Sequence, residues 1–217
     1  MPLINSPTEL TTSATDALLA IECTVIIALL RHSATTNRWR TNLWCWVFGL
    51  LAIASFLGAL AHGVEMPKSM RTALWTPLYL SLGILVVLFI VGAVADWRGR
   101  VAAMHLVPWG IGVSAAFFGL TALLKGAFIV FIVYAATILL SALTIYTFLA
   151  ASHRVKGAAV VALAILLNLA AAAVQASNVS LHLLVPFDHN GVFHLVQILS
   201  TAILGWGLHL GMESAQK

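Results

Sequence analysis

The stretch Gly126–Ala151 reads GAFIVFIVYAATILLSALTIYTFLAA and contains no charged residue. As a helix rising 1.5 Å per residue it extends about 39 Å, enough to cross the roughly 30 Å of hydrocarbon in a bilayer. The run is too long and too uniformly apolar for a barrel strand, which alternates. A segment in lipid must satisfy its own backbone, and helix is the form that does so. Six more runs of this kind lie at roughly 14–31, 42–62, 73–95, 101–121, 155–177 and 190–210. The expected fold is all-α. It is a polytopic bundle of seven transmembrane helices forming a single domain over residues 1–217.

Composition agrees. Of the 217 residues, 61% are hydrophobic and 8% charged, and the mean hydropathy is +1.02. A soluble domain carries about a quarter charged residues. The spans consume most of the chain, so any chemistry sits within the bundle or at its rim. The net charge of +4 is scattered between spans, with no basic run of the kind that binds nucleic acid. Cys23 lies midway down the first span and Cys45 near the start of the second. That difference in depth argues against a disulfide. The first twelve residues hold no Lys or Arg, so the first span reads as retained rather than cleaved.

Orientation follows from the loops. Arg31, Arg38, Arg40, Arg98, Arg100, Arg154 and Lys156 fall on one side, and Lys68, Arg71 and Lys125 on the other. Lys217 adds to the first group. The positive-inside rule puts the N-terminus out and the C-terminus in, in a plasma (inner) membrane. Trp39, Trp44, Trp46 and Trp97 would then form an inner aromatic belt, with Trp75 at the outer face. Pro77 and Pro108 would lie in first turns, where proline is tolerated.

The polar residues inside the spans gather at one depth. Asn190, His194 and Gln197 lie at i, i+4 and i+7 on one face of the last span. His62 ends the second span, with Ser55 two turns below. Gln175 and Asn178 end the sixth, on the face that also carries Asn168. Tyr79 follows Trp75 at the start of the third, and Glu22 lies two turns into the first. Together they outline an outer-leaflet pocket. A buried carboxylate needs a partner or a proton, and His62 and His194 are at the right depth for Glu22. Asp188 is placed to cap the last helix. Asn168, Gln175 and Gln197 also suit interhelical hydrogen bonding.

Three histidine-type ligands and a water would make a catalytic zinc site. His62, His194 and His189 or Asp188 are the candidate ligands, with Glu22 or Asp188 as the proton carrier. His189 and His194 could share an ion only if His189 precedes the helix proper, being about 140° apart within one. The pieces Ser55 to His62 and Asn190-Gly-Val-Phe-His194 resemble those of the alkaline ceramidase and progestin and adiponectin receptor superfamily. The resemblance implies a seven-helix fold, zinc and cleavage of a lipid amide or ester. Asn190 stands where that family has the first His of its last-span pair, with His189 one place earlier.

The alternative is non-enzymatic: a pocket for a lipid or small ligand, or a subunit docked to partner subunits in a membrane complex. A third reading is haem, with His194 and His209 on one helix and His62 and His105 opposite. Membrane lipids are the expected partners, and nucleic acid is not.

Overall fold

The computed structural model of the chain describes residues 2–33 and 37–213. Lys217, counted in the orientation argument, lies outside them. The elements are α1 (Pro7–Ser33), α2 (Arg38–Gly63), α3 (Lys68–Leu123), α4 (Phe128–Ala151) and α5 (Ala158–Gln175). They continue with a short antiparallel hairpin of β1 (Leu181–His182) and β2 (Pro186–Phe187), and end with α6 (His189–Glu213). All six helices are long and apolar enough to cross a membrane. The chain is an all-α, multi-pass membrane protein.

Helix α1 begins a full two turns before the apolar run. Ser6-Pro7-Thr8-Glu9 has the sequence of a capping box with proline at the first helical position. The Glu9 amide donates to Ser6 Oγ over 3.5 Å, while the Glu9 carboxylate turns to His62. The early start places Asp16 about 13 Å down the helix, by rise per residue.

Helix α3 is 56 residues long but broken at Gly99, with φ 83° and ψ 173°. That backbone region is open to glycine and strained for other residues. The two limbs lie side by side. Ser114 Oγ donates to the Gly83 carbonyl over 3.3 Å, although 31 residues of straight helix would separate them by about 46 Å. A Cβ on Gly83 would stand 2.8 Å from the Phe117 ring, so the absence of a side chain is what lets the limbs meet. Helix α3 starts at Lys68, so Pro77 and Pro108 lie inside it rather than in first turns. The helix extends past the apolar run into the polar flank.

Each helix packs on its neighbours in the chain, and α1 closes on α6. The result is a ring of helices. Its outer surface is apolar: Trp109 is 76% exposed, Ile111 66% and Trp206 59%. Exposure of that extent suits lipid rather than water.

The ring is filled at one end. There Cys23, Ile26, Leu30, Trp44, Phe48, Phe89, Tyr146, Leu149 and Leu208 form one core. Trp44 is fully buried, edge-on to Phe89 with centroids 5.2 Å apart, and a Cβ on Gly92 would sit 2.8 Å from its ring. Trp44 is therefore a core residue and not part of an interfacial belt. Both cysteines are free.

The same end holds a buried ion pair. Arg40 donates through Nε to Asp96 Oδ1 (2.5 Å) and through Nη2 to Oδ2 (2.9 Å), and the Tyr146 hydroxyl donates to Oδ2 (2.8 Å). The carboxylate is thus held by three donors from two other helices.

Candidate functional site

The other end of the ring is open. A cavity of about 950 Å3 lies where α1, α3 and α6 begin and α2 and α5 end. It reaches down to Leu51, midway along α2. Its two walls differ. Helices α1, α2 and α6 supply Asp16, Ser55, His62, Asn190, His194 and Gln197. Helices α3 and α4 supply a mainly apolar wall of Leu78, Leu82, Phe118, Phe128 and Ile132, with Trp75 and Tyr79 above them and the hydroxyls of Thr72, Thr76 and Thr121 among them. The volume is at the upper end of that seen for small-molecule sites.

On the polar wall, His194 is 9% exposed and Asp16 5%. His194 Nε2 lies 3.4 Å from Asp16 Oδ1. Its Nδ1 lies 3.3 Å from Thr15 Oγ1. The Thr15 hydroxyl already donates to the carbonyls of Thr11 and Thr12, each at 2.9 Å. Towards His194 it can only accept, which assigns a hydrogen to Nδ1. Nε2 faces the Asp16 carboxyl across that 3.4 Å contact. Gly58 faces the carboxylate from α2: a Cβ there would stand 2.6 Å from Asp16 Oδ2.

A second acid–imidazole pair sits higher. His62 Nδ1 is 2.6 Å from Glu9 Oε2, and its ring meets Trp75 edge-on at 5.8 Å between centroids. The far rim is the turn after α3. There the Tyr79 hydroxyl donates to the Gly126 carbonyl over 2.7 Å. Lys125, exposed, takes a positive φ of 56°.

Amides join α5 to α6. Gln175 Nε2 donates to Asn190 Oδ1 over 2.6 Å, and Asn168 Nδ2 donates to Ser200 Oγ. The structure thus uses Asn168 and Gln175 as interhelical ties. Gln175 also lines the cavity, and its Oε1 is buried without a hydrogen-bond partner, as is Thr121 Oγ1 opposite.

Eight of the sequence-derived residues come together on this cavity: Ser55, His62, Tyr79, Gln175, His189, Asn190, His194 and Gln197. Glu22, Asp188 and Asn178 are not among its lining residues. Glu22 shares a stripe of α1 with Thr15 and Ile26, which meet His194 and Gly205 of α6. It therefore faces the α1–α6 seam, and its buried Oε2 has no hydrogen-bond partner. The partners foreseen for it are taken: His62 by Glu9 and His194 by Asp16. Asp188 caps α6, accepting from the Gly191 amide at 3.0 Å and the Thr12 hydroxyl at 3.3 Å. Asn178 is exposed in the segment after α5, which ends at Gln175. Glu9 and Asp16 were missed, and the signal was the capping box at Ser6–Glu9. It moves the start of α1 back and turns Asp16 from a rim residue into a buried one.

Among the described residues no group of three His, Cys, Asp or Glu side chains is arranged to hold a metal. His62 and His194 are each turned to a carboxylate on α1. For haem, His105 is exposed on α3 and does not face into the bundle.

Residues 11–213 match the model of DUF6962, a family of unknown function. The chain belongs to that family. No curated protein matches it, and no solved structure does. The family match covers both walls of the cavity and all six helices, omitting only the first turn of α1.

Proposed function

We propose that this DUF6962 protein is a membrane-embedded binding protein whose cavity holds a small amphipathic molecule. The observation that carries the reading is the division of one cavity into a wall bearing most of its hydrogen-bonding side chains and a wall that is mostly apolar. A ligand with a polar head and an apolar body matches both at once. Ligand sites are commonly mostly apolar, with a few placed polar groups. Ionisable side chains kept inside a membrane bundle are a mark of function.

The membrane frame belongs to the same proposal. A 56-residue helix broken at Gly99, with its limbs side by side, supports seven crossings rather than six. Arg31, Arg38, Arg40, Arg98, Arg100, Arg154 and Lys156 belong to the filled end of the ring, and Lys68, Arg71 and Lys125 to the cavity end. By the positive-inside rule the cavity opens to the outside of a plasma (inner) membrane. A lipid or a lipid-derived molecule would reach it from the outer leaflet. The hydrolase reading needs a nucleophile or a metal-activated water. Thr15, whose hydroxyl is committed to its own helix, is not such a nucleophile.

The test is chemical extraction of the purified protein followed by mass spectrometry. A small amphiphile is expected in stoichiometric amount, and it should be lost from a Gln197→Trp variant that fills the cavity floor. Only bulk lipid, equal in both proteins, would contradict the reading.

A further inference from the structure

Resting on the binding reading of this same cavity, we propose that its ligand carries a cationic amine head on an apolar body. The ionisable residues on the lining are Asp16, His62, Lys125, His189 and His194. Lys125 is exposed at the rim, and His189, the first residue of α6, stands at the mouth. Below them, each imidazole already has its own carboxylate: His62 has Glu9, and His194 has Asp16. An anionic head descending into the cavity would meet the Asp16 carboxyl and no free positive charge. Asp16 is the acidic residue of the described lining, and in this low-dielectric site an ammonium head gives it a charge partner that an anion would not.

Three acceptors stand ready for a donor. Asp16 Oδ2 lies against Gly58, where a side chain would occupy the carboxyl's place, so glycine keeps this oxygen at the cavity wall. Gln175 Oε1 and Thr121 Oγ1 are buried on the lining without partners, and Thr121 is only 3% exposed. Orphaned buried polar atoms are costly. Gln175 Oε1 can only accept and so calls for a donor such as an ammonium N–H, which the Thr121 hydroxyl can also accept. Across from Asp16, the rings of Trp75 and Tyr79 lie 5.7 Å apart and tilted by 32°. Aromatic faces attract alkylammonium ions. The apolar body would run down Leu78, Leu82, Phe128 and Ile132.

The experiment compares three probes of one chain length, octylamine, octanol and octanoate, by calorimetric titration into the protein in nanodiscs at neutral pH. Empty nanodiscs provide the baseline. Octylammonium should bind saturably and at least tenfold tighter than either of the others, and Asp16→Asn should remove that preference. If Asp16→Asn fails to fold, a Thr121→Val, Gln175→Leu double variant should weaken octylammonium several-fold and leave octanol unchanged. Octanoate or octanol binding as tightly as octylammonium would overturn the cationic head and leave the cavity reading intact. So would unchanged octylammonium binding in the variants. Saturable binding of none of the three would overturn both.

Discussion

The two ends of the helix ring handle buried charge in opposite ways. At the filled end, Asp96 receives three hydrogen bonds of 2.5–2.9 Å from Arg40 and Tyr146. Trp44, Phe48 and Phe89 pack there in one buried core, where Trp44 Nε1 is the unpartnered group. At the open end, Asp16 and His194 approach only to 3.4 Å. Gln175 and Thr121 keep unsatisfied oxygens there, and about 950 Å3 is left unfilled. Both ends place carboxylates inside a membrane protein. A satisfied network fixes helices together, whereas a partly satisfied one leaves buried polar atoms that a further partner could satisfy. On the proposed reading, the difference separates a structural role for Asp96 from a binding role for Asp16.

Substitutions can break this comparison, and the largest effect belongs to the filled end. Arg40→Ala leaves Asp96 buried with most of its partners gone, and should cost about 3–5 kcal/mol in reversible unfolding from detergent. Tyr146→Phe removes one donor and leaves part of a buried carboxylate bare, at about 1–3 kcal/mol in the same assay. Thr121→Val at the open end deletes a hydroxyl that bonds nothing while keeping the shape. It should change stability by less than about 0.5 kcal/mol, in the stabilising direction. A loss as large as that of Tyr146→Phe would show the open end to be structural as well. Leu184→Asn comes last. Leu184 is 98% exposed at the hairpin tip, and its replacement should leave stability within about 0.5 kcal/mol.

The membrane class was plain in the sequence because apolarity over twenty residues has one physical meaning. The third and fourth runs, 73–95 and 101–121, correspond to the limbs of α3, with the break falling between them at Gly99. Helix ends were harder. Pro7 and Lys68 begin helices in polar sequence, where hydropathy is silent. A capping pattern marks the first, and Pro67 ahead of Lys68 makes no side-chain cap. That single displacement hid Glu9 and Asp16, the partners of His62 and His194. It also made Glu22 look like the central acid. Glu22 and Asp16 are six residues apart, so they project in different directions from α1. Only the placement of neighbouring helices decides which one faces the cavity. The face formed by Asn190, His194 and Gln197 was legible because helical spacing fixes it without reference to any neighbour. Trp44 and Trp46 differ by two residues and look alike in sequence, yet one is fully buried and the other 64% exposed. Helix rotation about its axis is set by packing that a single chain does not display.

The claim that the cavity end is open to water and the other end closed is tested most directly by cysteine accessibility. On a background of Cys23→Ala and Cys45→Ala, Ser55→Cys places a thiol deep on the cavity wall and Ala142→Cys places one in the filled core. A membrane-impermeant maleimide added from the outside should label the first at a rate well above the second, and octylamine should slow it. Equal labelling of the two thiols, or labelling of position 55 only from the inside, would contradict the division of the molecule into a packed end and a binding end.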